Sequence, residues 1–189
     1  MSATVTDDLF LIKGLGLSPH TIQNPLTCDN EKWSGEKMIL IPSLIHEELN
    51  RAEVVKKFSK RIPKRGFGTV VLGSSFNSTK DWEKYGAKIL SKDKIDEEIQ
   101  ILKNGKFDDV IVIINRYDGI DLPDDTCRIL IFDSKPYSES LVDMYFESCR
   151  SNSKINAIKT ARTIEQGMGR SVRGEKDYSV ILRNRAKIT

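Results

Sequence analysis

Five short apolar runs, each bounded by polar or turn-forming residues, set the rhythm of the chain. They are residues 37–42 (KMILIP), 69–73 (TVVLG), 109–115 (DVIVIIN), 128–133 (RILIFD) and 178–183 (YSVILR), with a weaker run at 87–90. They are continuously apolar, the pattern of strands buried on both faces of a parallel sheet. Between them, apolar residues recur at spacings of three and four. Ile45, Leu49, Ala52, Val55, Phe58 and Ile62 trace one helical face, and Ile95, Ile99 and Leu102 a second. Leu141, Val142, Tyr145, Phe146 and Cys149 trace a third, with Ser138 as its N-cap, and Ile158, Ala161, Ile164 and Met168 a fourth. From residue 37 onward strand and helix alternate, which predicts an α/β fold: a doubly wound, mostly parallel sheet flanked by helices. Residues 1–36 are rich in Gly, Pro, Asn, Asp and Ser, and their one apolar run is 9–12. They read as an irregular lead-in, leaving 37–189 as the domain.

Composition narrows the class only a little. A length of 189 residues suits one well-cored domain, and 39% hydrophobic with 30% charged residues is globular rather than disordered. The net charge of +3 is compatible with a phosphate-rich partner without requiring one. No apolar run approaches the ~18 residues of a membrane span, and the start MSATVTDDLFLIK lacks a basic leader region. Cys28, Cys127 and Cys149 are far apart and never in a C-x-x-C pair, so they read as reduced packing thiols of a cytoplasmic protein, with no metal site. His20 and His46 are isolated and are expected at the surface.

Several strings imitate catalytic motifs and fail on context. A phosphate loop requires Lys after its second Gly, and the nearest string, Gly169 to Lys176, has Glu175 there and follows a helix pattern. Asp96-Glu97-Glu98-Ile99 resembles a magnesium-binding acidic box, but it does not close an apolar strand. It reads better as an acidic first helical turn favoured by the helix dipole. His46-Glu47-Glu48 lacks the second His of a zinc-protease helix, because position 50 is Asn.

Two segments carry more. Asn115-Arg116-Tyr117-Asp118-Gly119-Ile120-Asp121 follows the most hydrophobic strand, which puts its charged residues at the carboxyl end of the sheet, where open α/β folds bind ligands. Gly119 permits a tight backbone course there. A charged strand-to-loop turn is an equal reading of that segment alone. In Gln166-Gly167-Met168-Gly169-Arg170-Ser171-Val172-Arg173, the two arginines share a face if the helix persists, and two guanidiniums make a natural clamp for phosphate oxygens. A basic helix end is the blander alternative.

In this order the pieces resemble the superfamily 2 helicases. Gln166-x-x-Gly169-Arg170-x-x-Arg173 is similar to motif VI, and Gly119-Ile120-Asp121 to motif V. The segment 70–76, a strand ending in Ser74 and Ser75, is similar to motif IV, and Ser2-Ala3-Thr4 to motif III. The stretches DGIDLPDDTCRILIFDSKPY and QGMGRSVRGEKDYSVILRNR look most like the DNA-repair branch. The resemblance spans nearly the whole chain and implies the second, RecA-like motor lobe of such a helicase.

That resemblance accounts for the missing phosphate loop and acidic box, which belong to an N-terminal RecA-like lobe, here the implied partner. ATP would lie between the lobes, with Mg2+ held by the other one. Arg173 is implied as the arginine finger and Arg170 as its companion clamp, with Gln166, Gly169, Gly119 and Asp121 around the nucleotide. Nucleic acid, DNA before RNA, would run along a different edge past Ser74, Ser75, Asn115 and Arg116. Ser2 and Thr4 would couple nucleotide state to that track. A lone lobe is expected to be inactive. The rival reading is a non-catalytic α/β module that binds nucleic acid or protein. A flavodoxin-like enzyme is disfavoured, because the first strand-to-helix turn, Ser43-Leu44-Ile45-His46, contains no Gly.

Overall fold

A computed structural model of the protein describes residues 8–24, 35–116, 119–136, 141–149 and 153–184. By internal contacts the chain divides into two units, Met1–Trp33 and Ser34–Thr189. The described part of the first contains two short helices, α1 (Asp8–Lys13) and α2 (Pro19–Gln23). The segment expected to be irregular therefore has local order. Ser18 caps α2 by accepting the Thr21 amide at 3.2 Å, and Pro19 supplies a preset first helical turn.

The second unit is built on six strands: β1 (Glu36–Leu40), β2 (Thr69–Gly73), β3 (Lys88–Ile89), β4 (Val110–Ile114), β5 (Ile129–Phe132) and β6 (Tyr178–Arg183). Their order is β1-β6-β5-β2-β4-β3, and every neighbouring pair is parallel. Helices α3 (Pro42–Ile45), α4 (Arg51–Phe58), α5 (Phe76–Lys84), α6 (Ile95–Lys103), α7 (Leu141–Cys149) and α8 (Lys154–Met168) fill the connections. This is the doubly wound α/β architecture that the alternation of patterns predicts, and it is consistent with the RecA-like fold that the resemblance implies.

Alternation along the strands divides the core. Val70 and Leu72 of β2 join Ile99 and Leu102 of α6, together with Ile120 and Leu122, on one face of the sheet. Val71 joins Val54 and Val55 of α4 and Trp82 of α5 on the other. With both faces covered, β2 and β4 are buried throughout, as continuously apolar strands require. The acidic residues Asp96, Glu97 and Glu98 do occupy the first turn of α6, and Glu98 pairs with Lys88.

Four expectations need correction. The run KMILIP is not buried on both faces: β1 is an edge strand, with Met38 and Ile39 60% and 53% exposed. The apolar face drawn from Ile45 to Ile62 is two helices, α3 and α4, and Ile62 lies beyond the second. Asn50 restarts the helix by accepting the amides of Ala52 and Glu53. Cys149 is exposed rather than packed, whereas Cys127 is buried and its thiol pKa is pushed by desolvation up to about 12. Finally, α8 stops at Met168, so Arg170 and Arg173 do not share a helical face. Ser138, offered as the cap of α7, lies outside the described residues, as does Cys28. Both His20 and His46 are exposed, as expected.

Candidate functional site

The carboxyl ends of the strands collect one group of residues. After β2, Ser75 caps α5: its hydroxyl accepts the Ser78 amide at 3.2 Å, and its carbonyl accepts the hydroxyls of Ser78 and Thr79. Beside it the Ser134 hydroxyl, just beyond β5, donates to that of Ser74 at 2.7 Å. The connection leaving β2 leads to β3 at one edge of the sheet, and the one leaving β5 leads to β6 toward the other. The winding therefore reverses between β2 and β5, the place where open α/β sheets form a ligand crevice. Asn115 follows β4 with φ of +53°, and its amide donates to the Gly73 carbonyl at 2.9 Å, so it stands at the same end, with Arg116 next in the chain. Ser74, Ser75, Asn115 and Arg116 thus share one edge. Ser134 is an addition that sequence reading missed, since a lone Ser after a strand carries no signal.

That edge is fastened from below by a second group also missed. Arg51, the first residue of α4, grips Asp133 with Nε and Nη2, each at 2.9 Å, while Nη1 reaches Asp81 at 2.8 Å. Its Nη2 also meets the Ser78 carbonyl, and Asn184 Nδ2 donates to Asp133 at 3.3 Å. Asp133 is fully buried and so requires this fork of donors. Partial burial works against the Arg51 charge, but the hydrogen bonds it donates to Asp133 and Asp81, with the charges of those carboxylates, outweigh it and hold the guanidinium more firmly protonated. The partners lie 82 and 30 residues away in sequence, so no local pattern could reveal them.

The residues resembling motifs V and VI meet elsewhere. Gly119 takes φ of +69°, a course that favours glycine. Ile120 and Leu122 are then buried in the core, worth about 2 kcal/mol each, and they anchor the segment against the sheet. Between them the exposed Asp121 accepts Nε of Arg173 at 2.5 Å across 52 residues. The Leu122 amide donates to the Arg170 carbonyl at 3.1 Å. Arg170 Nε is buried without a hydrogen-bond partner among the described residues. Gln166 lies on the last turn of α8, followed by Gly167, which packs against Phe132 and Leu72. Gly169 caps the helix at an ordinary φ of −71°.

Asp177 locks this loop. It immediately precedes β6 and accepts the amides of Arg173 at 2.8 Å, Tyr178 at 2.9 Å and Asp124 at 3.3 Å, with Arg128 Nη1 at 2.5 Å. Burial alone would raise its carboxyl pKa, but these donors outweigh desolvation and hold it below the ordinary carboxylate value. Arg128 in turn stacks on the Tyr178 ring, 4.1 Å from its centroid. Asp177 and Arg128 stand at the amino ends of β6 and β5, and the segment that carries Asp121 starts at Gly119, beside the Arg116 guanidinium. Ser2 and Thr4, together with Tyr117 and Asp118, lie outside the described residues.

An all-parallel six-stranded sheet flanked by helices is consistent with a RecA-like lobe. A model of the helicase C-terminal domain family matches residues 55–184, and the chain belongs to that family. No match was found among curated proteins.

Proposed function

We propose that this chain is the second motor lobe of an ATP-dependent nucleic-acid helicase of the DNA-repair type. It supplies Arg173 as arginine finger and Arg170 as second clamp to a nucleotide bound against an N-terminal RecA-like lobe. The observation that carries this reading is the junction of the two motif-like segments, Asp121 with Arg173 and Leu122 with Arg170. A bare structural turn has no need for an exposed carboxylate and an exposed guanidinium aimed at one another across that distance.

The residues fit a triphosphate. Among the described residues, Arg170 offers a buried Nε without a hydrogen-bond partner, and Arg173 offers a 43% exposed guanidinium paired with a 53% exposed Asp121. An exposed pair of this kind is worth about 0.2–1 kcal/mol, so Arg173 can leave it for a phosphate at small cost. In that role Asp121 holds Arg173 extended before the nucleotide arrives, and Asp177 fixes the backbone from which it swings. ATP supplies the energy of phosphoanhydride cleavage, with Mg2+ held by the other lobe. The arginines stabilise charge on the transferring phosphate, worth roughly 10³–10⁵ in rate for fingers of other NTPases. Gln166 and Gly169 flank the nucleotide, and Gly119 leaves room beside Asp121.

On the carboxyl edge, Ser74, Ser75, Asn115 and Arg116 form the track for nucleic-acid phosphates, DNA before RNA, with Ser2 and Thr4 coupling it to nucleotide state. The test is nucleic-acid-stimulated ATP hydrolysis by this chain joined to a lobe bearing the phosphate loop, beside that lobe alone. Stimulation that appears only when both are present supports the proposal. Equal turnover in the two samples contradicts it and favours a non-catalytic binding module.

A further inference from the structure

Between α4 and β2 the chain reads Lys60-Arg61-Ile62-Pro63-Lys64-Arg65-Gly66-Phe67-Gly68, four cations and one aromatic residue without an acid. This loop sits at the amino end of β2, roughly 15 Å along the five-residue strand from Ser74 and Ser75. We propose that it is a second nucleic-acid contact, separate from the carboxyl-edge track, that binds the phosphates of a single strand and stacks one base on Phe67. The ligand class rests on the nucleic-acid-directed reading of the chain; the site itself is additional to it.

Three observations support the assignment. First, the loop is held in shape by half-buried Arg65 and by Asp108, while Lys60, Arg61 and Lys64 are exposed. Asp108 accepts the Ile62 amide through its carbonyl at 3.0 Å and the Lys64 amide through its carboxylate at 2.8 Å. Arg65 is tied to Thr69 at 3.0 Å and to the Lys60 carbonyl at 3.1 Å. Asp108 and Asp109 take up the charge of the exposed Arg61, at 3.6 and 3.2 Å. Lys60 and Lys64 are exposed and have no ion pair among the described residues.

Second, Lys64 occupies left-handed backbone, φ +56°, after Pro63. Turns favour Gly at such a position, and a lysine there carries conformational strain that glycine would relieve. Strain of this kind concentrates at functional positions, where the side chain is worth its conformational cost.

Third, Phe67 is 37% exposed between two glycines, beside the cations. Cations with an accessible ring are the two components that sequence-tolerant single-strand binders combine. An acidic protein surface would use the charges but leave the ring without a role, so a nucleic acid is the better fit.

The experiment is fluorescence anisotropy of the whole chain with a labelled 20-nucleotide single strand across a salt series, with melting curves for every variant. Lys64→Gly relieves the backbone strain, so it keeps or raises the melting temperature, yet it should weaken binding three- to tenfold. It should also flatten the log–log salt slope by about 0.7, the value of one phosphate contact on a single strand. Lys60→Ala should act in the same direction, and Phe67→Ala should weaken single-strand binding more than duplex binding. Polyglutamate should not matter, and a polyphosphate without bases should compete less well than the oligonucleotide.

Wild-type affinity in both lysine variants, no binding at low salt, or equal competition by base-free polyphosphate would overturn the inference. If Arg116→Ala and Ser74→Ala lose binding while the loop variants do not, the second contact fails and the carboxyl-edge track stands.

Discussion

The carboxylate of Asp177 accepts the backbone amide of Arg173 at 2.8 Å, and its other oxygen accepts Arg128 at 2.5 Å. One buried side chain thereby fixes the loop that carries the proposed finger to the amino ends of β5 and β6. The helix that precedes the loop cannot do this, since α8 has already ended at Met168.

Replacing Asp177 with Asn removes the buried charge that Arg128 meets and weakens its acceptor for the Arg173 and Asp124 amides, while Arg128 keeps Asp125 at 2.9 Å and the Tyr178 carbonyl at 2.8 Å. The expected loss is about 1.5–3 kcal/mol, read by urea unfolding at neutral pH. Because the folded carboxyl pKa is depressed, its stabilisation is complete above the unfolded value and is lost as pH falls through the folded value. The difference between wild type and variant should therefore be constant above about pH 5 and narrow below about pH 4. A gap independent of pH would contradict the assignment.

The Arg51–Asp133 fork makes a second stability prediction. Arg51→Ala leaves a buried carboxylate with Asn184 as its one remaining side-chain donor among the described residues, and should cost about 3–5 kcal/mol. Arg51→Lys should recover little, because an ammonium cannot supply the two parallel bonds that the fork makes. Recovery to near wild-type stability by Lys would show that charge alone matters. The readout is again the denaturant midpoint.

Gly167 and Gly169 should behave oppositely. A methyl at Gly167 would stand 2.9 Å from Phe132 Cζ, a ring that is itself buried, so Gly167→Ala should destabilise by about 1–3 kcal/mol in thermal melting. At Gly169 the nearest atom is 3.5 Å away and φ is ordinary, so Gly169→Ala should change stability by less than about 0.5 kcal/mol. A loss of ATP turnover in that second variant, with folding intact, would mean that Gly169 is needed for close approach of the nucleotide.

Legibility in the sequence followed the range of the interaction. Strands β2, β4, β5 and β6 were readable because burial on both faces leaves a continuous apolar run. The same logic misjudged β1, where an edge position leaves Met38 and Ile39 exposed although the run looks alike. The helix break between Ile45 and Asn50 was hidden because apolar spacing persists through it while Asn50 restarts the helix as a cap. Gly119, Asp121, Arg170 and Arg173 stand out in the sequence because they fall in short ordered motifs. Arg51, Asp133, Arg128 and Asp177 were missed, since partners 49 and 82 residues apart meet only after the sheet has formed.

The central claim is that Arg173 acts on the nucleotide, and one measurement reaches it directly. In the chain joined to a lobe bearing the phosphate loop, nucleic-acid-stimulated ATPase should be compared for wild type, Arg173→Ala and Arg170→Ala, with melting curves confirming folding. The account predicts that Arg173→Ala lowers turnover by roughly 10³-fold or more at saturating ATP, and Arg170→Ala by a smaller factor. Turnover unchanged in both variants would contradict it.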